Sequence, residues 1–289
     1  MRLPEWIKSE CSAGMSSQRS VKSLLRQYGV KTVCEEARCP TKAYCFKMPA
    51  AAFMILGSSC TRNCGFCSVE HGRTETPDPD EPIRIAAAVK DMGLTYVVVT
   101  SVTRDDLQDG GASQFAHTIE ALRSSCPDIK IEVLIPDFKG SDESLRKVLG
   151  AGPDVLNHNM ETVKRLYGHV RPQAVYERSL NLLRSAKEIS GCIKIKSGFM
   201  IGLGEEHNEV IGLMADLREA GCNFLTIGQY LRPTKKNIPV VEYIKPQVFE
   251  ALRELALAMG FEFAASGPMV RSSMNADEAF NKVSNRDLV

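Results

Sequence analysis

Short runs of apolar and β-branched residues alternate along most of the chain with longer segments in which apolar residues recur every three or four positions. The short runs predict strands at 52–57, 96–100, 129–135, 155–158, 193–200, 224–229 and 261–265. The longer segments predict helices at 83–91, 115–124, 145–149, 160–167, 176–189, 210–219 and 246–258. This alternation indicates parallel strands that are joined by right-handed crossovers.

The alternating segment predicts an α/β fold whose parallel strands form a closed or partial barrel, with any chemistry at the carboxyl ends of the strands. An open doubly wound sheet is the structural alternative, because alternation alone does not determine whether a sheet closes. Both ends of the chain lack the pattern. We therefore expect an N-terminal extension at 1–49, a barrel at 50–265 and a C-terminal tail at 266–289.

Composition is consistent with one large barrel domain. The chain has 289 residues, of which 44% are hydrophobic, and its formal net charge is +1. This charge gives no reason to expect bulk attraction to nucleic acid or to a membrane surface. The longest apolar run, at 49–56, is far shorter than the roughly 18 residues of a membrane span, and the N-terminus has no apolar signal-peptide region. These features predict a cytoplasmic protein with neither a nucleic-acid nor a membrane partner.

Six of the ten cysteines lie in one short window of the chain. They form two groups of three: Cys34, Cys39 and Cys45, and then Cys60, Cys64 and Cys67. In a reducing compartment such clustering indicates metal ligands more than disulfides. A structural zinc site usually takes four protein ligands, whereas a cubane iron–sulfur cluster can be held by three thiolates with one iron left open. The two groups favour two clusters, although a zinc site with a distant fourth ligand is an alternative for the first group.

The second cysteine group has the spacing C-x3-C-x2-C and directly follows the strand predicted at 52–57. Such close spacing wraps the chain around a compact object, with each sulfur reaching a different iron. This motif and its place in the β/α pattern resemble the radical S-adenosylmethionine (SAM) superfamily. The resemblance implies a partial (β/α)6-type TIM barrel and a [4Fe-4S] cluster whose open iron is chelated by SAM, which is cleaved to a 5′-deoxyadenosyl radical. It also implies that Phe66 lies near the adenine.

The first cysteine group and several later segments resemble the lipoyl synthases, a family within that superfamily. The segments are CEEARCP (34–40), FMILG (53–57), TSVTRDDL (100–107), DGGA (109–112), IEVLIPDF (131–138), NHNMETV (157–163), KSG (196–198), LTIGQYL (225–231) and SGP (266–268). The resemblance implies insertion of two sulfur atoms, at C6 and C8 of an octanoyl chain on a lysine of a lipoyl carrier protein. That carrier is the glycine-cleavage H protein or an E2 lipoyl domain. A second [4Fe-4S] cluster on the first cysteine group would donate the sulfur, and a ferredoxin or flavodoxin-type protein would donate electrons.

The C-terminal tail contains a candidate for the open position of this second cluster. Lipoyl synthases use a serine of an Arg-Ser-Ser-Tyr motif there, and this chain has RSSM at 271–274. The resemblance implies Ser273 as that ligand and as a catalytic residue, because a serine alkoxide is easily lost when the cluster opens. Two hydroxyls in a polar turn are the alternative. The chain departs from the family at Met274, where tyrosine is usual, and in the spacers 41–44 and 47–50. These changes preserve the cysteine spacing.

Polar side chains near the carboxyl ends of the predicted strands are candidates for contacts to SAM, because strand ends face the active site of a barrel. They are Thr100, Ser101, Asn157, Asn159, Lys196 and Gln229. Ordinary loop contacts are the alternative for each. We interpret His158 as a hydrogen-bonding residue at a strand end, because radical chemistry needs no general base at this step. A different two-cluster radical SAM enzyme, and a zinc-binding or electron-carrying scaffold, are the competing hypotheses.

Overall fold

The computed structural model of the protein describes residues 3–7, 18–39 and 50–273. Its strands are β1 (Lys31–Thr32), β2 (Ala50–Ile55), β3 (Ser59–Cys60), β4 (Glu70–His71), β5 (Tyr96–Ser101), β6 (Lys130–Leu134), β7 (Val155–Asn157), β8 (Lys194–Ile201), β9 (Phe224–Gln229) and β10 (Phe263–Gly267). Its main helices are α1 (Gln18–Gln27), α2 (Val33–Glu36), α3 (Glu81–Asp91), α4 (Ala112–Ser125), α5 (Asp142–Gly150), α6 (Tyr167–Val170), α7 (Tyr176–Ile189), α8 (His207–Glu219) and α9 (Pro246–Ala258).

One eight-stranded sheet organises the fold. Its strand order is β1-β2-β5-β6-β7-β8-β9-β10; all neighbours from β2 onward are parallel, and β1 pairs antiparallel with β2. Within the described residues the two outer strands, β1 and β10, are not paired with each other, so the barrel is open. The predicted α/β fold of parallel strands is therefore confirmed in its partial form.

The boundaries of the crossovers follow from local signals in the sequence. Ser141 caps α5 by accepting a hydrogen bond from Ser144 N at 3.2 Å. Glu206 and Glu209 form a reciprocal capping box at the start of α8. Pro246 opens α9, where its missing N–H has no helical partner to lose. These caps fix where each helix begins and therefore where the preceding loop must end.

The prediction of a helix at 160–167 is wrong. The backbone of Glu161 has a φ of +68°, which a right-handed helix does not allow, and it forms an isolated bridge to Phe199 on β8. Met200 N donates to Glu161 O at 2.9 Å. A short 3-10 helix, Lys164–Leu166, follows, and then α6. The apolar residues of this segment pack as an extended loop against β8 because that strand is longer than β7 and offers free backbone groups.

Alternate residues of the parallel strands point to opposite faces of the sheet. On the outer face, side chains such as Phe53, Val99 and Val133 have no exposed surface and belong to the core that also contains the apolar sides of the helices. The inner face carries smaller and more polar residues, among them Thr100, Gly198 and Thr226. The outer face therefore holds the fold together, and the inner face is left for the site.

Candidate active site

A cavity of about 350 Å³ lies at the carboxyl ends of the strands. Its walls include the loops that follow β5, β6, β7 and β9. Residues of both cysteine groups line it: Cys34, Cys39, Cys60, Cys64 and Cys67. The two groups, which are separate motifs in the sequence, therefore face one shared space.

The second cysteine group lies on a loop that is tied to the end of β5. Its base is closed by the pairing of β3 with β4. The backbone N–H and the hydroxyl of Thr61 both donate to Thr103 O, at 3.0 and 2.9 Å. The Cys60 sulfur accepts from Thr103 N at 3.3 Å and from Arg62 N at 3.4 Å. These contacts place Cys60 at the cavity wall before any cluster is bound.

Arg62 ties the cysteine loop to the segments that follow β5 and β6. Its guanidinium donates to both carboxylate oxygens of Asp105, at 2.7 and 2.9 Å, and to both of Asp137, at 3.1 and 2.6 Å. The Arg62 side chain is 5% exposed and that of Asp137 is fully buried. Burial raises the pKa of Asp137, but the hydrogen bonds from Arg62 outweigh burial and hold the pKa at about 2. Asp137 therefore remains ionised and anchors the cysteine loop to the segment that follows β6.

The far side of the same loop is held by a segment that is remote in sequence. Asn237 Nδ2 donates to Cys67 O at 2.7 Å and to Gly65 O at 3.3 Å, while its Oδ1 accepts from the Thr234 hydroxyl at 2.7 Å. A Cβ atom on Gly65 would lie 2.7 Å from the side chain of Ile238. Gly65 is therefore required for this close approach, and the segment after β9 locks the loop in place.

Burial controls the protonation of the thiols in this loop. It raises the pKa of the Cys64 thiol to about 11 and that of Cys67 to about 12. Both thiols are protonated at neutral pH unless a cation replaces the proton, as iron does in a cluster. In the parts of the chain that the structure describes, no three His, Cys, Asp or Glu side chains converge on one metal ion.

Described members of the first cysteine group and of the tail also line the cavity. Cys34 lies in α2 and is buried, and Cys39 N donates to Cys34 O at 3.1 Å. Ser272 and Ser273 also line the cavity. The tail reaches it by passing over Gly228 on β9, where a Cβ atom would lie only 2.4 Å from Val270 O. The structure thus brings Ser273 to the space that Cys34 and Cys39 face; Cys45 and Met274 lie outside the described residues.

Three buried polar atoms in the cavity wall have no hydrogen-bond partner among the described residues: Ser101 Oγ, Asn159 Oδ1 and Arg171 Nε. Leaving such atoms unpaired costs about 1–3 kcal/mol each. Arg171 is held in place because its Nη1 donates to Asn159 O at 2.8 Å and to Met160 O at 3.0 Å. A ligand with both acceptors and donors, such as the carboxylate, amine and ribose of SAM, fits these orphaned groups.

The structure separates the predicted SAM contacts into two sets. Those that line the cavity are Phe66, Thr100, Ser101, Asn159 and Gln229. Asn157 and Lys196 do not reach its wall, because both side chains point into the barrel interior and bind Glu132, at 2.8 and 3.0 Å. Gln229 already donates to three backbone carbonyls and accepts from Ile244 N, so it braces the loop after β9.

Four residues of the site were not found from the sequence: Arg62, Glu161, Arg171 and Asn237. Arg62 could have been noticed, because a charged residue inside a cysteine loop needs a partner. Glu161 lies two residues after Asn159 and accepts from its amide at 3.1 Å. No local signal links Asn237 to the cysteine loop, since Cys67 lies 170 residues away.

His158 behaves as a hydrogen-bonding residue. Its Nδ1 lies 2.8 Å from Ile135 O and its Nε2 2.9 Å from Ser179 Oγ. Burial lowers its pKa to about 4, and the nearby Arg171 acts in the same direction. The imidazole is therefore neutral and immobilised at physiological pH, which agrees with the reading of His158 from the sequence.

Comparison with known families gives two matches. The model of the radical SAM superfamily matches residues 54–217, and the model of the N-terminal domain of lipoyl synthase matches residues 1–39. The chain is 52% identical to the lipoyl synthase of Alkaliphilus metalliredigens over 281 residues, which cover 97% of each chain. It is 52% identical to the lipoyl synthase of Proteus mirabilis over 278 residues, 96% of this chain and 87% of that one.

Solved structures with a similar fold are more distant in sequence. SuiB of Streptococcus suis, bound to S-adenosylmethionine, superposes with a TM-score of 0.61 at 12% identity, over 86% of this chain and 53% of that one. Methylornithine synthase (PylB) superposes with a TM-score of 0.55 at 14% identity, over 92% of this chain and 88% of that one. At these identities the likeness concerns the fold alone.

Proposed function

This chain belongs to the lipoyl synthase family of the radical SAM superfamily, and we propose how its cavity carries out the reaction of that family. Membership makes the protein an enzyme that uses SAM and a [4Fe-4S] cluster and acts on lipoyl carrier proteins. The observation that carries the proposal is the shared cavity, which both cysteine groups and Ser273 line. Two reacting centres at one cavity can act in turn on the same acyl chain.

The first centre is assigned to Cys60, Cys64 and Cys67, which would hold the cluster that binds SAM. When bound, this cluster and SAM supply the radical that removes hydrogen from C6 and C8 of the octanoyl chain. Arg62 and Asn237 hold the cysteine loop from two sides, so the sulfurs are preorganised. Ser101, Asn159 and Arg171 offer the unpaired polar atoms that would orient SAM. Phe66, Thr100 and Gln229 form the surrounding wall, with Phe66 placed for the adenine.

The second centre is assigned to Cys34, Cys39 and Cys45 with Ser273 as the fourth ligand, and it would hold a second [4Fe-4S] cluster that donates sulfur. This assignment is supported by Cys34, Cys39 and Ser273, which line one cavity. Thiolate binds iron more firmly than an alkoxide does. Ser273 is therefore the ligand that can leave when the cluster is opened. The aliphatic wall, which includes Met54 and Val98, would exclude water from the acyl chain.

We extend the proposal to partners and organisation. The octanoylated carrier is the H protein or an E2 lipoyl domain, and electrons come from a ferredoxin or flavodoxin-type protein. In this proposal the second centre belongs to the two ends of the chain, 1–49 and 266–289. The first centre belongs to the barrel at 50–265. A thiolate-rich enzyme of this kind suits the reducing cytoplasm.

Within the described residues, no helix has the length and hydrophobicity that a membrane span requires.

The test is an anaerobic assay of the reconstituted enzyme with an octanoyl-lysine peptide, SAM and a reductant. The expected product under the reducing assay conditions is heavier by two sulfur atoms, which are present as thiols at C6 and C8. Metal analysis should find about eight irons per chain, as two cubanes require. SAM cleavage without sulfur insertion would favour a different two-cluster radical SAM enzyme, and stoichiometric zinc without iron would favour a scaffold.

A further inference from the structure

A polar layer lies inside the barrel directly beneath the cavity. Residues two positions apart on a strand point to the same face and are separated by about 7 Å. Val98 on β5, Leu134 on β6 and Gly198 on β8 line the cavity. The inward-facing residues two positions before them, with Asn157 at the end of β7, form what we term the polar floor: Tyr96, Glu132, Asn157 and Lys196.

Hydrogen bonds join the polar floor into one network centred on Glu132. Lys196 Nζ lies 3.0 Å from both carboxylate oxygens of Glu132. Asn157 Nδ2 donates to Glu132 Oε1 at 2.8 Å, and the Tyr96 hydroxyl donates to Oε2 at 2.9 Å. All four residues are at most 3% exposed. A buried charge pair in the middle of a barrel is an unusual floor for a cavity whose substrate is a hydrocarbon.

The wall and the floor differ sharply in chemistry. Four aliphatic side chains line the cavity wall: Ala52, Met54, Val98 and Leu134. Replacing hydrophobic packing with an ion pair brings no general gain in stability, because both ions lose their hydration. A hydrocarbon that displaced a member of the network would leave the other charge buried and unpaired. The cavity therefore accepts apolar atoms down to the level of Val98 and resists them below it.

The chemistry decides which end of the acyl chain approaches the floor; this step rests on the proposed sulfur insertion at C6 and C8. The chain is tethered to a carrier protein through a lysine amide, so it enters the cavity with its methyl end first. C8 is the terminal carbon and is itself a reacting atom. When C6 and C8 are in register with the first centre, any further carbon must extend past C8, away from the tether.

The geometry points to the polar floor as the element that measures acyl-chain length. Tyr96, Glu132, Asn157 and Lys196 stop the methyl end at C8, so that an octanoyl chain fills the apolar part of the cavity. Longer chains reach the ion pair of Glu132 and Lys196 and are rejected. The four residues act as specificity determinants and take no part in the radical chemistry.

The test compares peptides of one sequence whose lysine carries a hexanoyl, octanoyl or decanoyl chain. Binding to the anaerobic, cluster-loaded enzyme with SAM is measured by competition with a fluorescent octanoyl peptide. For the unmodified enzyme we expect decanoyl to bind at least about tenfold more weakly than octanoyl, since misfit of single methylenes is worth this much or more. Glu132→Ala combined with Lys196→Met removes both charges and opens the floor. In this variant the ratio of decanoyl to octanoyl affinity should rise by roughly tenfold.

A matched control removes another ion pair from the same strand. Lys194 on β8 pairs with Glu262 at 2.9 Å, away from the cavity. Lys194→Met combined with Glu262→Gln should leave the decanoyl-to-octanoyl ratio unchanged. Circular dichroism and iron content establish that each variant is folded and loaded.

A second variant decides the question if the opened floor does not fold. Val98 on β5 is the register neighbour of Glu132 on β6 and, unlike Glu132, lines the cavity. Val98→Phe makes the cavity shallower, so the ratio of hexanoyl to octanoyl affinity should rise by roughly tenfold. The inference is overturned if the unmodified enzyme does not discriminate decanoyl, or if the folded, loaded variants keep its order of preference. Failure of the unmodified enzyme to add sulfur to the octanoyl peptide would instead overturn the proposed function.

Discussion

The two cysteine groups face the same cavity but are supported in different ways. The group at 60–67 follows a central strand, and Arg62 and Asn237 tie its loop to segments after β5, β6 and β9. In the group at 34–45, Cys34 lies in the four-residue helix α2 and Cys39 lies three residues after it, and both line the same cavity as Ser272 and Ser273 of the tail. In the proposed assignment, the cluster that binds SAM and must persist through turnover would thus be embedded in the barrel, whereas the cluster that gives up sulfide would lie between the two chain ends.

Removing one cysteine from each group should have the largest effect and should separate their roles. Cys64→Ala should abolish SAM cleavage, because the cluster that binds SAM loses a ligand. Cys39→Ala should leave SAM cleavage measurable and abolish sulfur insertion. The measurements are 5′-deoxyadenosine release and product mass, with the exposed Cys192→Ala as the control. Equal loss of both activities in both variants would contradict the division of labour.

Breaking the ion pairs of Arg62 should weaken only the part of the site that carries Cys60, Cys64 and Cys67. Arg62→Ala leaves the buried Asp137 carboxylate with only the partly exposed Arg178, at 3.3 Å, as a charged partner. We expect a loss of about 3 kcal/mol in the free energy of unfolding, the lower end for a broken buried ion pair. Anaerobic denaturant unfolding measures it.

The control for Arg62 is Arg253→Ala, which breaks an exposed pair with Glu250 and should cost well under about 1 kcal/mol. Iron analysis sharpens the comparison, because Arg62→Ala should lose iron from the first centre and keep about four irons at the second. Loss of iron from both centres would show that the two sides are not independently supported.

Acid should also lower the stability of the barrel, through the protonation of His158. Burial lowers the pKa of this residue to about 4, below the value of about 6.5 for an unfolded chain. The unfolded state therefore binds the proton first, so His158 contributes full stability above pH 6.5 and loses it as the pH falls toward 4. The expected loss is about 2 kcal/mol at pH 5.

Unfolding midpoints at pH 7, 6 and 5 measure this effect. His158→Gln should show a flatter dependence on pH, while the exposed His117→Gln should follow the unmodified protein. An identical slope in His158→Gln would assign the acid sensitivity to other groups.

The smallest expected effect concerns the ligand that the tail supplies. Ser273→Ala should reduce sulfur insertion by roughly tenfold, as expected when a ligand that positions a reacting group is lost, and should leave SAM cleavage intact. Ser272→Ala is the matched control, because Ser272 lines the same cavity one residue earlier. A larger effect at Ser272 than at Ser273 would identify Ser272 as the ligand and overturn the assignment to Ser273.

Local pattern was sufficient for the architecture. The period-two and helical repeats predicted seven parallel strands and the crossovers between them. They could do so because the spacing of apolar residues within a strand or helix shows which of its faces is buried. The one wrong helix, at 160–167, lies where the backbone bonds of β8 compete with the local pattern. Candidate cluster cysteines were also visible, since the spacing C-x3-C-x2-C lies within one loop.

The sequence by itself determined the α/β fold of parallel strands, the two cysteine groups and the resemblance to the lipoyl synthases, whereas the structure decided that the barrel is open. Only the tertiary structure decided that Asn237 holds Cys67 O across 170 residues, that Ser273 and Cys34 line one cavity, and that Lys196 belongs to the polar floor instead of the cavity wall. The physical reason is that periodicity records which face of an element is buried. The partners of a polar side chain depend on which loops and strands meet in space.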